Sequence, residues 1–215
     1  MIDYGLKDRV ALITGANNPW GIGATTALAF AREGAKVVLV YKRVDRPFDA
    51  SKTDKNGVDR YYSANAGDTA LVEEKLKEMN ADYLIIESDI SVEENVKSIY
   101  DQAIAKYGRV DILVNNAATD DETGLDTIEK ITPSVIDDTF AVNVRGSLLM
   151  TREFVGRRGD YGRIINISSV GGLVPDISQV GYGTSKAAIN YLTKLIAVQE
   201  AKHRIRCNAV LPGMT

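Results

Sequence analysis

Residues 14–23 read Thr-Gly-Ala-Asn-Asn-Pro-Trp-Gly-Ile-Gly, a glycine-rich turn that follows an apolar run and precedes a helical stretch. The first turn of a helix carries unpaired N–H groups and partial positive charge, and glycine lets an anion approach them closely. An ordinary tight turn is the alternative interpretation. The position between a strand and a helix favours a site for the pyrophosphate of a dinucleotide.

The remainder of the chain alternates between apolar runs and helical stretches. Near-continuous β-branched and leucine content predicts buried strands over residues 10–14, 36–40, 83–87, 111–115, 163–167 and 205–210. Helices are predicted over residues 23–33, 69–79, 92–107, 133–154 and 182–201. Such alternation produces βαβ units. We therefore expect residues 1–215 to form a single α/β domain, a doubly wound parallel sheet of the Rossmann type with helices on both faces.

Local signals indicate helix starts and a buried face. Thr132 before Pro133 is typical of an N-cap followed by proline at the first helical position. Ser91 with Glu94 three residues later is the pattern of a capping box. Apolar residues at i+4 steps within residues 133–154 should face the core, and these are Ile136, Phe140, Val144 and Leu148.

Residues 45–67 do not fit the alternation. They are polar and rich in Lys, Asp, Asn and Tyr, and they lie between the second strand and the next predicted helix. We interpret them as a solvated insertion loop. The alternative hypothesis gives Tyr61 and Tyr62 a contact with a cofactor or with another subunit.

Composition and charge narrow the class of protein. The 215 residues carry a formal net charge of −3, which argues against a nucleic-acid partner because phosphate binding needs clustered Lys and Arg. Neither a membrane-spanning run nor a secretion signal is expected. The single cysteine, Cys207, cannot form an intramolecular disulfide, which fits the reducing cytoplasm. The single histidine, His203, lies in a charged run typical of a solvated helix end, so neither a metal site nor a histidine-dependent triad is expected.

The end of the second strand bears on which dinucleotide the chain would bind. A carboxylate there would accept hydrogen bonds from the free ribose hydroxyls of NAD, but the sequence has Tyr41-Lys42-Arg43. Two cations suit the 2′-phosphate of NADP, so the sequence favours NADP over NAD, with a solvated basic turn as the alternative. Asp89, after the third strand, is placed to meet the adenine edge or to begin the next helix.

Tyr182 and Lys186 are four residues apart at the start of a predicted helix, so their side chains share one face. Lowering a tyrosine pKa from about 10 to about 7 takes roughly 4 kcal/mol, which a neighbouring ammonium and a positive nicotinamide ring would supply in a dry cleft. Chance is the alternative for this pair alone. Ser168 and Ser169 end the fifth strand, where a hydroxyl would donate to a carbonyl oxygen or serve only as a turn residue.

Together these features resemble the short-chain dehydrogenase/reductase family, of the carbonyl reductase or 3-oxoacyl reductase kind, over residues 6–215. The matching motifs follow the family's order along the chain. They are Thr14-Gly15 with Gly21-Ile22-Gly23, Asp89-Ile90, Asn115-Asn116-Ala117-Ala118, Asn143, Ser169 thirteen residues before Tyr182, Tyr182 with Lys186, and Pro212-Gly213. Each motif is weak by itself, and the joint order is very specific.

The resemblance implies hydride transfer between a nicotinamide and a carbonyl or secondary alcohol of a small molecule. Tyr182 would exchange a proton with the substrate oxygen, and Ser169 would hold that oxygen. Lys186 would lower the tyrosine pKa and bind the nicotinamide ribose, and Asn143 would anchor a water linked to Lys186. With the residues argued above, the predicted cofactor-binding set is Gly15, Asn17, Gly21, Ile22, Gly23, Tyr41, Lys42, Arg43, Asp89, Ile90, Asn116, Ala117, Tyr182, Lys186, Pro212, Gly213 and Thr215.

The sequence departs from the family pattern at several points. Five residues separate Gly15 from Gly21 where the family usually has three, and the extra length resembles the longer loops of enoyl reductases. Those enzymes space their Tyr and Lys more widely, so the Tyr182–Lys186 interval favours carbonyl chemistry. Family members continue past Pro-Gly with a substrate-covering loop, a helix and a final strand, so we expect a fold without the segment after strand six.

Three hypotheses for function follow. The first is an NADP(H)-dependent carbonyl reductase or alcohol dehydrogenase, the second an enoyl reductase-like enzyme, and the third a non-catalytic dinucleotide-binding protein of the same fold. The expected partner is a small-molecule carbonyl or alcohol, with no nucleic acid and no membrane. Because the family commonly assembles through the helices after strands four and five, the resemblance also implies a homotetramer or homodimer.

Overall fold

The computed structural model describes residues 3–119, 127–175 and 179–213. Its strands are β1 (Val10–Thr14), β2 (Lys36–Tyr41), β3 (Tyr83–Glu87), β4 (Ile112–Asn115), β5 (Gly162–Ile167) and β6 (Ile205–Val210). They form one sheet in the order β3-β2-β1-β4-β5-β6, and every neighbouring pair is parallel. The chain reverses its direction of travel across the sheet between β1 and β4, which is where open α/β sheets bind ligands.

The helices cover both faces of this sheet, as the sequence predicts. They are α1 (Ile22–Arg32), α2 (Val58–Ala66), α3 (Ala70–Glu78), α4 (Glu93–Tyr107), α5 (Pro133–Phe140), α6 (Ser147–Gly156) and α7 (Val180–Glu200). Buried residues of α1 and α3 form one core layer, and those of α4, α6 and α7 form the other. The fold is therefore a single doubly wound α/β sheet. Among the described residues, no helix combines the length and apolarity needed to cross a membrane.

Strand β1 is a central strand whose C-terminal end leads into the glycine turn. Its side chains alternate between the two core layers, with Leu12 on one face and Ile13 on the other, both completely buried. Burying each such side chain stabilises the fold by about 1.5–3 kcal/mol. The glycine turn after Thr14 therefore begins at the end of a rigidly packed strand.

The insertion at residues 45–67 is not a loop throughout, so the expectation was wrong for the part that forms a helix. It contains α2, and its ends are closed by a 3.0 Å hydrogen bond from the Val44 N–H to the Asn65 carbonyl. All residues of α2 are exposed or half-buried, so the helix has no apolar face for a local pattern to reveal. Its stability comes from contacts with a distant part of the chain, described below.

The buried face of α5 and α6 also differs from the prediction. Ile136 and Leu148 are 40% and 44% exposed, whereas Asn143 and Met150 are buried. One π-helical turn, Ala141–Gly146, joins the two helices and changes the register between them. A Cβ at Gly146 would lie 2.9 Å from Ile90, so the glycine side of the helix packs closely on this buried residue.

Two predicted helix starts had different outcomes. Thr132 caps α5 as expected, since its hydroxyl accepts a hydrogen bond from the Val135 N–H at 3.4 Å and proline follows. The capping box at Ser91 was wrong. The Ser91 N–H and hydroxyl instead both donate to Asp89, at 2.8 and 2.7 Å, and α4 begins two residues later.

Candidate active site

The turn after β1 requires glycine at two positions. Gly15 has a φ of +68°, and a Cβ there would lie 2.8 Å from the Ala117 Cα. A Cβ on Gly23 would lie 2.3 Å from the Gly15 carbonyl oxygen. Since real side chains do not approach backbone this closely, the first turn of α1 packs against the strand end only because both residues lack a side chain.

The ends of β1 and β4 are tied together by side chains. The Asn116 amide donates to the carbonyls of Thr14 and Gly15, both at 2.9 Å. The Thr14 hydroxyl oxygen accepts from the N–H groups of Asn116 and Ala117, both at 3.0 Å. Both amide hydrogens of Asn116 are thus used inside the turn, and this predicted cofactor residue shapes the turn through its side chain.

The start of α1 fits a pyrophosphate. Within residues 3–119, no side chain caps the helix at Gly21, and the first turn contains no acidic residue. The N–H groups of Ile22 and Gly23 are among the first of the helix, which have no partners within it. An anion placed there would be stabilised by these groups and by the helix dipole.

The lengthened part of the turn is fastened to α2. Asn17 is buried, and its side-chain amide donates to the carbonyls of Asn65 and Gly67, both at 3.1 Å. The guanidinium of Arg60 stacks 3.8 Å above the ring of Trp20. The side-chain amide of Asn17, predicted to bind cofactor, is therefore bonded to the insertion, and Trp20 of the lengthened turn supplies the second contact.

Cations and carboxylates are paired at the ends of β2 and β3. Lys42 lies 2.6 Å from Asp89, and Arg43 binds Glu87 through two nitrogens at 3.0 and 2.8 Å. The hydrogen bond from Arg43 lowers the pKa of Glu87, and the Tyr41 hydroxyl donates to the same carboxylate. These pairs are largely exposed, so they are weak and can exchange partners.

Asp89 contacts groups on both sides of it in the sequence, and its predicted contact with the adenine edge stays a prediction. It accepts from Lys42 and also from Ser91 at the approach to α4. Burial works to raise the pKa of Asp89, but the hydrogen bonds from Lys42 and Ser91 outweigh it and hold that pKa below its usual value. Ile90 is buried beneath Gly146.

Lys186 and Tyr182 meet at the beginning of α7. The Lys186 ammonium lies 5.4 Å from the centre of the Tyr182 ring and donates to the Ile167 carbonyl at 2.8 Å. Only 3% of Lys186 is exposed, and this burial lowers its pKa to about 8. At neutral pH the side chain is therefore still mostly charged, inside a nearly dry environment.

The end of β5 packs directly on this helical turn. The Ser168 hydroxyl donates to the Lys186 carbonyl at 3.1 Å, and a Cβ at Gly172 would lie 2.7 Å from the Lys186 carbonyl carbon. The Ser169 oxygen accepts from the Gly171 N–H at 3.1 Å, which leaves its hydroxyl proton to donate elsewhere. Pro212 follows β6 and accepts from the Val170 N–H, so it borders the same turn.

Asn143 joins this cluster through a residue that sequence reasoning missed. Its amide donates to Ser185 Oγ and to the Thr119 carbonyl, both at 2.9 Å, and its oxygen accepts from the Thr119 N–H at 2.8 Å. The Ser185 hydroxyl in turn donates to the Tyr182 carbonyl at 2.7 Å. Ser185 lies between Tyr182 and Lys186 in the sequence, and that position was the available signal.

The structure therefore places most predicted site residues along the C-terminal ends of the parallel strands. The glycine turn lies at β1, the charged pairs at β2 and β3, and the four predicted catalytic residues around β4, β5 and α7. Gly213 is adjacent to Pro212, while Thr215 lies outside the described residues. His203 lies at the other end of α7 from Tyr182 and binds Glu200 at 2.9 Å.

A doubly wound sheet with a glycine turn after β1 and a Tyr–Lys pair beside β5 defines a class of dinucleotide-binding proteins. The comparisons with known proteins agree: the family model for short chain dehydrogenase matches residues 9–215. This chain belongs to the short-chain dehydrogenase/reductase family, whose members use a nicotinamide cofactor.

Individual relatives are moderately similar. An Arabidopsis thaliana protein named NADPH-dependent aldehyde reductase 1, chloroplastic, is 31% identical over 97% of this chain and 66% of its own length. The 7alpha-hydroxysteroid dehydrogenase of Clostridium sardiniense is 32% identical over 97% and 71%. The crystal structure of levodione reductase matches with a TM-score of 0.80 and 28% identity over 96% of this chain and 72% of that one. The chain spans about two thirds of the length of such curated relatives.

Proposed function

We propose that the chain is an NADP(H)-dependent oxidoreductase that interconverts a carbonyl and a secondary alcohol, with Tyr182 as general acid and base. The observation that carries this proposal is the buried ammonium of Lys186, 5.4 Å from the Tyr182 ring. Two relatives are named as an aldehyde reductase and a hydroxysteroid dehydrogenase, and both names denote hydride transfer between a carbonyl and an alcohol, which supports the same reaction class. When bound, the nicotinamide supplies or accepts the hydride.

The protein residues divide the remaining work. A charged Lys186 favours the phenolate of Tyr182, which lowers the cost of moving a proton between the phenol and the substrate oxygen. Ser169 keeps a hydroxyl proton to donate to that oxygen as negative charge develops on it. The chain of hydrogen bonds from Asn143 through Ser185 holds the backbone at Tyr182 in place.

The choice of NADP rather than NAD is also part of the proposal. Lys42 and Arg43 lie at the end of β2, where the ribose of the adenosine half binds in this fold. Their present partners, Asp89 and Glu87, form exposed pairs that a 2′-phosphate can replace with stronger charge-assisted bonds. The NADPH-dependent aldehyde reductase among the relatives supports the same choice.

Replacing Tyr182 with Phe tests the proposal. Turnover of aldehydes and ketones with NADPH should fall by about a hundredfold to ten-thousandfold, the usual contribution of a positioned proton donor. NADPH binding, followed by fluorescence, should be nearly unchanged because the ring and Lys186 remain. Undiminished turnover in this variant would refute the assigned role. An enoyl thioester belongs in the same substrate panel, since its reduction would favour the enoyl reductase hypothesis instead.

We also propose that the chain self-associates through α5, α6 and α7. Apolar side chains on the outer faces of these helices are exposed in the single chain, namely Ile136, Leu148, Tyr191, Leu195 and Val198. Large apolar side chains left exposed on neighbouring helices are typical of interaction surfaces. Light scattering should give the mass of a dimer or tetramer, and a monomer at high concentration would contradict the proposal.

A further inference from the structure

The insertion reaches across the edge of the sheet through Arg46. Its guanidinium donates to the Thr119 hydroxyl at 2.9 Å and lies 5.3 Å from the centre of the Tyr62 ring. Thr119 follows β4, and Tyr62 is on α2. Arg46 itself follows β2, so one side chain connects three separate parts of the site.

Both anchors of Arg46 belong to the walls of the predicted cofactor cleft. Thr119 is bonded to Asn143 on the catalytic side. Tyr62 lies one turn of α2 before Asn65. The Asn65 carbonyl accepts a hydrogen bond from Asn17 of the glycine turn. A dinucleotide that extends from Lys42 to the Tyr182 end of the edge must pass between these walls, and therefore must pass Arg46.

We propose that Arg46 is a cofactor-binding residue supplied by the insertion and that it binds the pyrophosphate shared by NADP and NAD. This inference rests on the proposed dinucleotide function. The N-terminus of α1 offers only about half a positive charge, whereas a pyrophosphate bridge carries two negative ones. A guanidinium between Thr119 and Tyr62 would supply the missing charge and form strong, charge-assisted hydrogen bonds to phosphate oxygens.

The position of Arg46 distinguishes the pyrophosphate from the 2′-phosphate. Lys42 and Arg43 bind carboxylates at the end of β3 and beyond it, on the adenosine side of β1. Arg46 instead reaches beyond β4, on the opposite side of β1 in the strand order. Its guanidinium is thus placed toward the middle of an extended dinucleotide, and it should contribute equally to both cofactors.

The test compares Arg46→Met with Arg46→Lys. Methionine keeps an apolar stem near Tyr62 but removes the charge, and lysine keeps a charge without the planar fork. Lys52→Ala is the matched control, because Lys52 is an exposed cation of the same insertion, paired with Asp49. Dissociation constants are measured for NADPH, NADH, 5′-ADP and 2′,5′-ADP, since only the last lacks a diphosphate. Circular dichroism checks that each variant is folded.

Arg46→Met should weaken NADPH, NADH and 5′-ADP alike, by about tenfold to a hundredfold, and should weaken 2′,5′-ADP less, because that ligand keeps only one of the two phosphates at this position. Arg46→Lys should restore part of the loss, and Lys52→Ala should match the parent. Unchanged affinity in a folded Arg46→Met, or a loss confined to NADPH and 2′,5′-ADP, would overturn the inference. A parent chain that binds neither dinucleotide would instead reject the proposed function, and the role of Arg46 with it.

Discussion

The two ends of the predicted cofactor cleft are built from different kinds of interaction. At the predicted catalytic end, Asn143, Ser185 and Lys186 are buried, and each donates a short hydrogen bond to a backbone carbonyl. At the adenosine end, Lys42 and Arg43 are exposed and held by carboxylates in surface ion pairs. Both ends lie on the same edge of one sheet.

This difference indicates which residues of the site can be substituted with little loss of stability. A buried polar group that loses its partner costs about 1–3 kcal/mol, because no water replaces the lost bond. An exposed ion pair contributes little, and water or a phosphate takes its place. The catalytic end should therefore be sensitive to single substitutions, whereas cofactor preference should be adjustable with little effect on stability.

Between the two ends, the glycine turn should tolerate change least. Gly23→Ala places a Cβ 2.3 Å from the Gly15 carbonyl oxygen, so α1 must move away from β1. We expect a loss of about 3 kcal/mol in the free energy of unfolding, measured by chemical denaturation, and loss of dinucleotide binding. Gly156→Ala is the control, since a Cβ there meets open space among the described residues. Equal stability of the two variants would contradict the packing argument.

Burial of Lys186 predicts a pH dependence of stability. Because its folded pKa is about 8 and its ordinary value is 10.5, the unfolded chain binds more protons between these values. Stability should therefore rise with pH from about 8 to 10.5, by up to about 3 kcal/mol, and the penalty should be constant below pH 8.

The stability of Lys186→Met should lack the rise between about pH 8 and 10.5 that Lys186 causes. The informative quantity is the difference between the two stability curves, since burial raises the pKa of Cys207 to about 12 and gives both proteins an opposite slope above pH 9. Parallel curves for parent and variant would show that Lys186 is not desolvated in solution.

Substitution of Ser185 should lower stability and kcat more than substitution of its neighbour Thr184. Ser185→Ala leaves one buried amide proton of Asn143 without its acceptor, which should cost about 1–3 kcal/mol of stability. It also removes the bond to the Tyr182 carbonyl, so kcat should fall while the KM for cofactor changes little. Thr184→Ala is the control, because that exposed hydroxyl donates to the Val180 carbonyl of its own helix. Similar kcat values for the two variants would remove Ser185 from the positioning network.

Local sequence pattern was sufficient for the sheet and insufficient for α2. Strands such as β1 and β3 were predicted with the bounds that the structure shows, since short runs rich in β-branched residues and leucine are typical of strands covered by helices. Helix α2 is polar and is stabilised by Asn17 and Trp20, about forty residues earlier in the chain. Such a partner is visible only after the chain has folded.

The site shows the same division. Motif order and spacing predicted Asn143, Ser169, Tyr182 and Lys186 as catalytic residues, and the fold places them around β5 and α7. The links between them were not predictable, because Ser185 and Thr119 are ordinary polar residues whose roles depend on tertiary neighbours. The buried stripe of α5 and α6 was missed for a similar reason, since close packing of Gly146 on Ile90 decides which side faces inward.

The smallest expected effect lies at the adenosine end. Lys42→Ala and Arg43→Ala should each narrow the preference for NADPH over NADH by about fivefold, because each removes one exposed charge from the 2′-phosphate site. Thermal stability and turnover with saturating cofactor should stay close to those of the parent. Lys97→Ala, which breaks a comparable exposed pair with Glu93 on α4, controls for a general loss of positive charge. Equal affinity of the parent for NADPH and NADH would overturn the proposed preference for NADP. A large loss of stability in either variant would show that the ion pairs of Lys42 and Arg43 stabilise the fold as much as the buried bonds at the other end of the cleft.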